Sequence, residues 1–167
     1  SNEKLDGVKT VGLNINPTKL PPGYFTLKAR NNKYTIFGPD VDVSDASFKL
    51  RDYDLNNVDL SGNLIKLTDF NTYDIIYDQP PILSEDYIIK VNRVNKKMII
   101  GPGVNLTNAD LTDVNLNEID ITNINFKNAI FNNVIATNVK INTKSTNIGH
   151  VVFEKNKQKF LLGPGLY

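Results

Sequence analysis

The 167-residue sequence contains no cysteine and a single histidine, His150. Without cysteine there are no disulfides, thiolate nucleophiles, iron–sulfur clusters or Cys-based zinc sites. One histidine excludes a His-rich metal site and a His–His acid–base pair. No apolar run approaches the ~18 residues that a membrane-spanning helix needs. Neither sign of charge dominates, since 19 Lys and Arg stand against 18 Asp and Glu, for a net charge of +1. That balance argues against a polyanion-binding domain and against a strongly acidic decoy. A Gly-rich phosphate loop is also missing, because each Gly-Pro pair is isolated. Nothing at the N-terminus reads as a signal peptide. The chain starts at Ser1 without Met, so a trimmed, tagged or excised chain is expected. The length suits one domain, or one domain with modular parts.

Asparagine is abundant, with 24 residues, beside 17 Ile and 16 Lys. Its side chain competes for backbone hydrogen bonds, which disfavours strands and helix interiors. A chain so rich in Asn is either low in complexity or built from turns.

Internal repeats decide between these. From Val104 to Thr143 the chain reads as eight five-residue units: VNLTN, ADLTD, VNLNE, IDITN, INFKN, AIFNN, VIATN and VKINT. Their first residues are Val104, Ala109, Val114, Ile119, Ile124, Ala129, Val134 and Val139. Their third residues are Leu106, Leu111, Leu116, Ile121, Phe126, Phe131, Ala136 and Ile141. All sixteen positions are apolar, and of the rest only Ile130 and Ile135 are. In a chain with 40% hydrophobic residues, roughly fewer than one frame in a million would do this by chance. A helix needs apolar residues at i, i+3, i+4 and i+7, and a strand needs continuous alternation. Here a three-residue straight segment is followed by a polar corner, which Asn, Asp, Ser and Thr suit. A corner every five residues closes a square after four units, and stacked squares bury both apolar positions.

These units, ADLTD and VNLTN above all, resemble the A(D/N)LXX motif of pentapeptide-repeat proteins. The resemblance implies an all-β fold, a right-handed quadrilateral β-helix with four units per coil. It implies that the third residue fills the centre and the small first residue packs beside it. Ile119 and Ile124 are larger than that pattern, and Ala136 is smaller, so local swelling or a void is expected.

A looser block precedes it. Val41, Val43, Ala46 and Phe48 fit the frame, which then shifts by two residues. Leu50, Leu55, Leu60, Ile65, Phe70 and Ile75 follow five apart, with Phe48, Tyr53, Val58, Asn63, Thr68 and Tyr73 two residues earlier. Tyr53 and Tyr73 are too large for a small-residue slot, so they are expected to point outward or to sit at a distorted corner.

A longer repeat encloses the short one. Gly38-Pro39, Gly101-Pro102 and Gly163-Pro164 are spaced by 63 and 62 residues. Two β-prone runs around a basic, Asn-rich turn precede each pair, which reads as a β-hairpin handed into a coil by a Gly-Pro turn. The expected organisation is an N-terminal extension (1–22), hairpin 1 (23–40), coil block 1 (41–76), a linker with hairpin 2 (77–103), coil block 2 (104–143) and hairpin 3 (144–167). Tandem modules of this kind also resemble some proteins of large DNA viruses and phages. Two coils hold too little core, so the blocks should stack on each other or on another chain. The hairpins should cap or flank the open strand edges, with sideways projection as a binding surface the alternative.

Charge is segregated between the parts. The net charge is +3 over 1–40, −4 over 41–76, +1 over 77–103, −2 over 104–143 and +3 over 144–167. Positive hairpins and negative coils could favour association of copies, screened by salt. They are equally consistent with edge strands protected by solvated lysines.

No residue pattern points to catalysis. His150 has no evident Ser or Cys partner. A calcium site needs convergent oxygens, whereas the frame puts Asp40, Asp42, Asp45, Asp52 and Asp54 mostly outward or at corners. The Asn105-Leu106-Thr107 sequon lies inside a coil and suits corner hydrogen bonds. Tyr24, Tyr34, Tyr87 and Tyr167, with Phe25, Phe153 and Phe160, gather on the hairpins, where packing is expected. No catalytic residue, cofactor or metal is expected. The expected role is a non-enzymatic structural or assembly protein of a virion or other particle, or of the cytoplasm. Its expected partners are proteins, further copies included, rather than nucleic acid or membrane. Two alternatives differ in class. One is a DNA-mimic inhibitor of a type II topoisomerase, which the net charge disfavours. The other is an adhesin or fibre segment that binds carbohydrate through exposed Tyr and Asn.

Overall fold

The computed structural model describes residues 10–38, 49–61, 67, 70–142, 151–155 and 158–163. The early coil positions Val41, Val43, Ala46 and Phe48, with Asn63, Ile65 and Thr68, lie outside the described residues. So do His150, Tyr167, Asp40, Asp42, Asp45, Pro39 and Pro164. Among the described residues the fold is all-β, with no α-helix and a 3-10 turn at Leu50–Asp52.

Three antiparallel hairpins punctuate the chain. Strands β1 (Phe25–Lys28) and β2 (Tyr34–Phe37) form the first. Strand β3 (Tyr73–Ile75) pairs with β5 (Lys97–Ile100), which also pairs with β4 (Ile88–Val91) in the second. Strands β6 (Val151–Lys155) and β7 (Gln158–Leu162) form the third, with Phe153 opposite Phe160. In the first two hairpins the basic, Asn-rich stretches form the turns because Asn adopts positive φ with little strain. Asn32 has φ 64° and Asn95 has φ 61°. Both turns close identically: Ala29 N–H donates to the Lys33 carbonyl, and Asn92 N–H to that of Lys96.

Between hairpins the chain is held by isolated parallel bridges. Asn105 bridges Asn125, Asp110 bridges Ile130, Asn115 bridges Ile135 and Asp120 bridges Lys140. Each pair is twenty residues apart, so residues 104–123 form one tier and 124–142 the next. Leu106 N–H donates to the Asn125 carbonyl at 2.8 Å, and Leu111, Leu116 and Ile121 repeat this bond five residues apart.

The same column runs upward through the looser block, where Asn71 bridges Asn105 below and Lys49 above. The two blocks therefore stack on each other. Lys49 and Asn71 are twenty-two residues apart, so that tier carries two residues more than the twenty-residue tiers of the lower block. The surplus moves the frame. Leu50, Leu55, Leu60, Phe70 and Ile75 are buried, but Leu67 is buried too and Thr72 takes the inward place above Leu106. Tyr53 does not point outward: it is buried, its ring meets Phe37 edge-on, and its hydroxyl lies 3.2 Å from the Thr35 hydroxyl. Burial pushes its phenol above the ordinary value, more than the bond to Thr35 lowers it.

Hairpin 2 lies within the stack. Met98, Ile99 and Ile100 are fully buried in one cluster with Leu50, Leu55, Leu106 and Leu111. Burial of a large aliphatic side chain contributes about 1.5–3 kcal/mol, so β5 is a principal part of the core.

Candidate functional site

The corners of the two lower tiers are built by two devices, one of them running from Asn105 to Asn125 and the other from Asn108 to Asn138, at five-residue steps. At the second position of a unit, an Asn or Asp side chain accepts the N–H two residues on. Asn105 does so for Thr107, Asp110 for Thr112, Asn115 for Asn117, Asp120 for Thr122 and Asn125 for Lys127, at 2.9–3.0 Å. The fifth position takes the left-handed conformation. Asn108, Asp113, Glu118, Asn123, Asn128, Asn133 and Asn138 have φ between 51° and 63°. With the third-position carbonyl accepting the next first-position N–H, as from Ala109 to Leu106 at 3.0 Å, this is the pattern of a type II turn. The surplus of Asn is thereby explained, since it serves both corner positions. The side-chain bonds were legible in the sequence, and the left-handed fifth position was not.

Corner side chains also connect tiers. Asn128 Nδ2 donates to Asn108 Oδ1, Asn133 to Asp113, and Asn142 to Asn123. Lys140 Nζ meets Asp120 Oδ2 at 2.5 Å. Burial pushes the Asp120 carboxyl up, but hydrogen bonds from Lys140 and Thr122 outweigh it and hold the group below its ordinary range. The same contact holds the Lys140 ammonium above its ordinary value. Higher in the stack, Asp74 takes Arg51 Nη1 at 2.7 Å and Lys96 Nζ at 3.1 Å.

The residues singled out for the centre of the stack lie as follows. Leu106, Leu111, Leu116, Ile121, Phe126 and Ile141 are buried. Phe131 is half-buried, its ring edge-on to Phe126 with centroids 5.3 Å apart. Ile119 and Ile124 are accommodated inside, and Ala136 is buried.

At the turns into the tiers, a close approach requires glycine. A Cβ on Gly38 would sit 2.3 Å from the Tyr24 ring, and one on Gly101 would sit 2.3 Å from the Tyr87 ring. Tyr87 also donates its hydroxyl to the Pro102 carbonyl at 3.2 Å. Gly163 is at a bend and is half-buried.

Among the described residues no three His, Cys, Asp or Glu side chains gather as a metal site would require. Asp54 caps its own corner by accepting the Asn56 backbone and side-chain N–H groups. On the two lower tiers, the large apolar side chains exposed among the described residues are a neighbouring pair. Ile130 and Ile135 stand at second positions, directly below Asp110 and Asn115, and are 56% and 40% exposed. They were visible in the sequence as the two breaks in the alternation, but their exposure was not.

Residues 102–142 match the family model of pentapeptide repeats, in eight copies. No curated protein and no solved structure matches the chain.

Proposed function

We propose that this chain, a pentapeptide-repeat protein through residues 102–142, is a non-enzymatic structural protein that acts by protein–protein contact as part of an assembled particle such as a virion. In this reading the tiers wind as a right-handed four-sided β-helix, which the twenty-residue spacing of the bridges supports. The observation that carries the functional reading is the apolar pair Ile130 and Ile135. They replace corner-forming Asp and Asn on the lowest described repeat tier and leave large aliphatic groups in solvent. Apolar surface exposed where the pattern calls for polar residues suits a contact with another protein. A further copy or another particle protein would cover it.

Light scattering across concentration and salt tests this. A defined oligomer is expected, and Ile130→Asp with Ile135→Asp should return it to monomer. A strict monomer at every concentration, with no co-sedimenting protein partner, would overturn the reading.

A further inference from the structure

A cleft of about 400 Å³ opens beside hairpin 1, between its turn, the Asp54–Asn56 corner and the segment Ile76–Asp78. Its size lies within the usual range for small-molecule sites. Its walls are fixed by bonds between distant parts of the chain. Arg30 Nε donates to the Arg51 carbonyl at 3.0 Å, and its Nη2 donates to the Ile76 carbonyl at 3.1 Å. Asn56 Oδ1 accepts the N–H groups of Asp78 and Gln79 at 2.7 and 2.9 Å. Lys97 Nζ lies 3.9 Å from the Tyr77 ring centroid and donates to the Tyr77 carbonyl at 3.0 Å. The cleft is therefore preorganised, which reduces the ordering needed when a ligand enters.

Its chemistry is mixed and balanced. Lys28 and Arg30 contribute two cations, while Asp54 and Asp78 contribute two carboxylates. An anion would meet both carboxylates and a cation would meet both basic groups, so neither is favoured. Among the described residues the Lys28 ammonium and the Asp78 carboxylate have no partner. Arg30 has further N–H groups beyond the two already bonded. A ligand that both donates and accepts hydrogen bonds around an apolar face matches this set. Vicinal hydroxyls on a sugar ring provide the first property, and its C–H groups provide the second against Ile76 and Tyr77, which line the cleft.

The second hairpin supplies an internal comparison. Arg93 holds the same place in its turn as Arg30, and both backbone N–H groups donate to an adjoining tier, at Thr112 and Asp52. The turn thus uses the backbone of this residue and leaves the side chain free to differ. The Arg93 guanidinium reaches towards Asp113 at 4.0 Å and is 72% exposed, whereas that of Arg30 is tied into the cleft wall.

We propose that this cleft binds a neutral carbohydrate, one sugar ring lying against Tyr77 with its hydroxyls shared among Lys28, Arg30, Asp54 and Asp78. This goes beyond the assembly reading and stands independently of it.

The test presents the protein to a printed array of neutral, sialylated and sulfated oligosaccharides, with light scattering as a separate readout of assembly. Retention of neutral glycans is expected. Lys28→Ala and Asp78→Asn, whose exposed side chains carry none of the bonds that fix the wall, should each weaken it by about tenfold, corresponding to loss of one good polar contact. Arg93→Ala should leave it unchanged. No retention, retention of charged glycans alone, or equal binding by the Lys28 and Asp78 variants would overturn the proposal.

Discussion

Thr72 and Ile99 are joined by a reciprocal pair of bonds. The Thr72 hydroxyl donates to the Ile99 carbonyl at 2.7 Å, and the Ile99 N–H donates to the Thr72 carbonyl at 3.1 Å. Thr10 and Ile36 make the same pair at 2.7 and 3.2 Å. Both threonines are buried. A buried threonine is thus the clip that fastens β5 of hairpin 2 to the tier through Thr72, and β2 of hairpin 1 to the preceding segment through Thr10. Thr72→Val keeps the shape but leaves the Ile99 carbonyl short of a donor. The expected loss is about 1–3 kcal/mol, read by urea unfolding. Thr72→Ser should recover most of it.

Gly101→Ala would drive a methyl group into the Tyr87 ring and the Asp86 carbonyl. Overpacking of this kind typically costs about 1–3 kcal/mol. Tyr87→Ala alone should also destabilise. The double variant should lose less than the two single losses together, because removing the ring makes room for the methyl group. A strictly additive pair in thermal melts would refute that account of the turn.

Asn108 carries φ 60° at a fifth position. Asn108→Gly should be nearly neutral, while Asn108→Ala should cost about 1–2 kcal/mol for holding a Cβ in the left-handed region. Comparison of the two melts separates backbone strain from loss of the side-chain bond to Asn128.

Phe126→Asp would place a carboxylate in a fully buried slot and should unfold the lower tiers. Leu116→Asp should do the same. Phe131→Asp should be milder, because Phe131 is half-buried. Circular dichroism melts give the order directly.

Asp120 stays ionised to lower pH in the fold than in the unfolded chain. Its stabilisation is therefore complete above about pH 4 and is lost as pH falls through the depressed native value. Asp120→Asn should flatten the acid limb of a stability–pH curve. Lys140→Met should flatten it less, because both bonds from Thr122 remain.

The sequence was most legible where every unit has the same length. Sixteen apolar positions in a single frame located both lower tiers, down to the inward place of Leu116 and Phe126. The looser block misled because the tier from Lys49 to Asn71 carries two residues beyond twenty, so the inward place after Leu60 falls to Leu67, seven residues on, while Leu60 and Phe70 still stand a multiple of five apart. Tyr53 was read as too large for a small-residue slot, and so as pointing outward or sitting at a distorted corner. Hairpin 1 makes room for it in the interior and supplies Thr35 for its hydroxyl. The cleft left no local signal at all. Arg30 and Ile76 are 46 residues apart, and only the stacking of tiers brings them together.

The column from Lys49 through Asn71 and Asn105 to Asn125 has steps of twenty-two, thirty-four and twenty residues. Excursions of very different length thus leave and rejoin the same corner without disturbing the storey above or below. Such a corner is a tolerant splice point. Gene duplication can lengthen the protein there by a whole hairpin-and-tier unit, and a loop of foreign sequence can be grafted at the same place, with the register of the remaining storeys preserved.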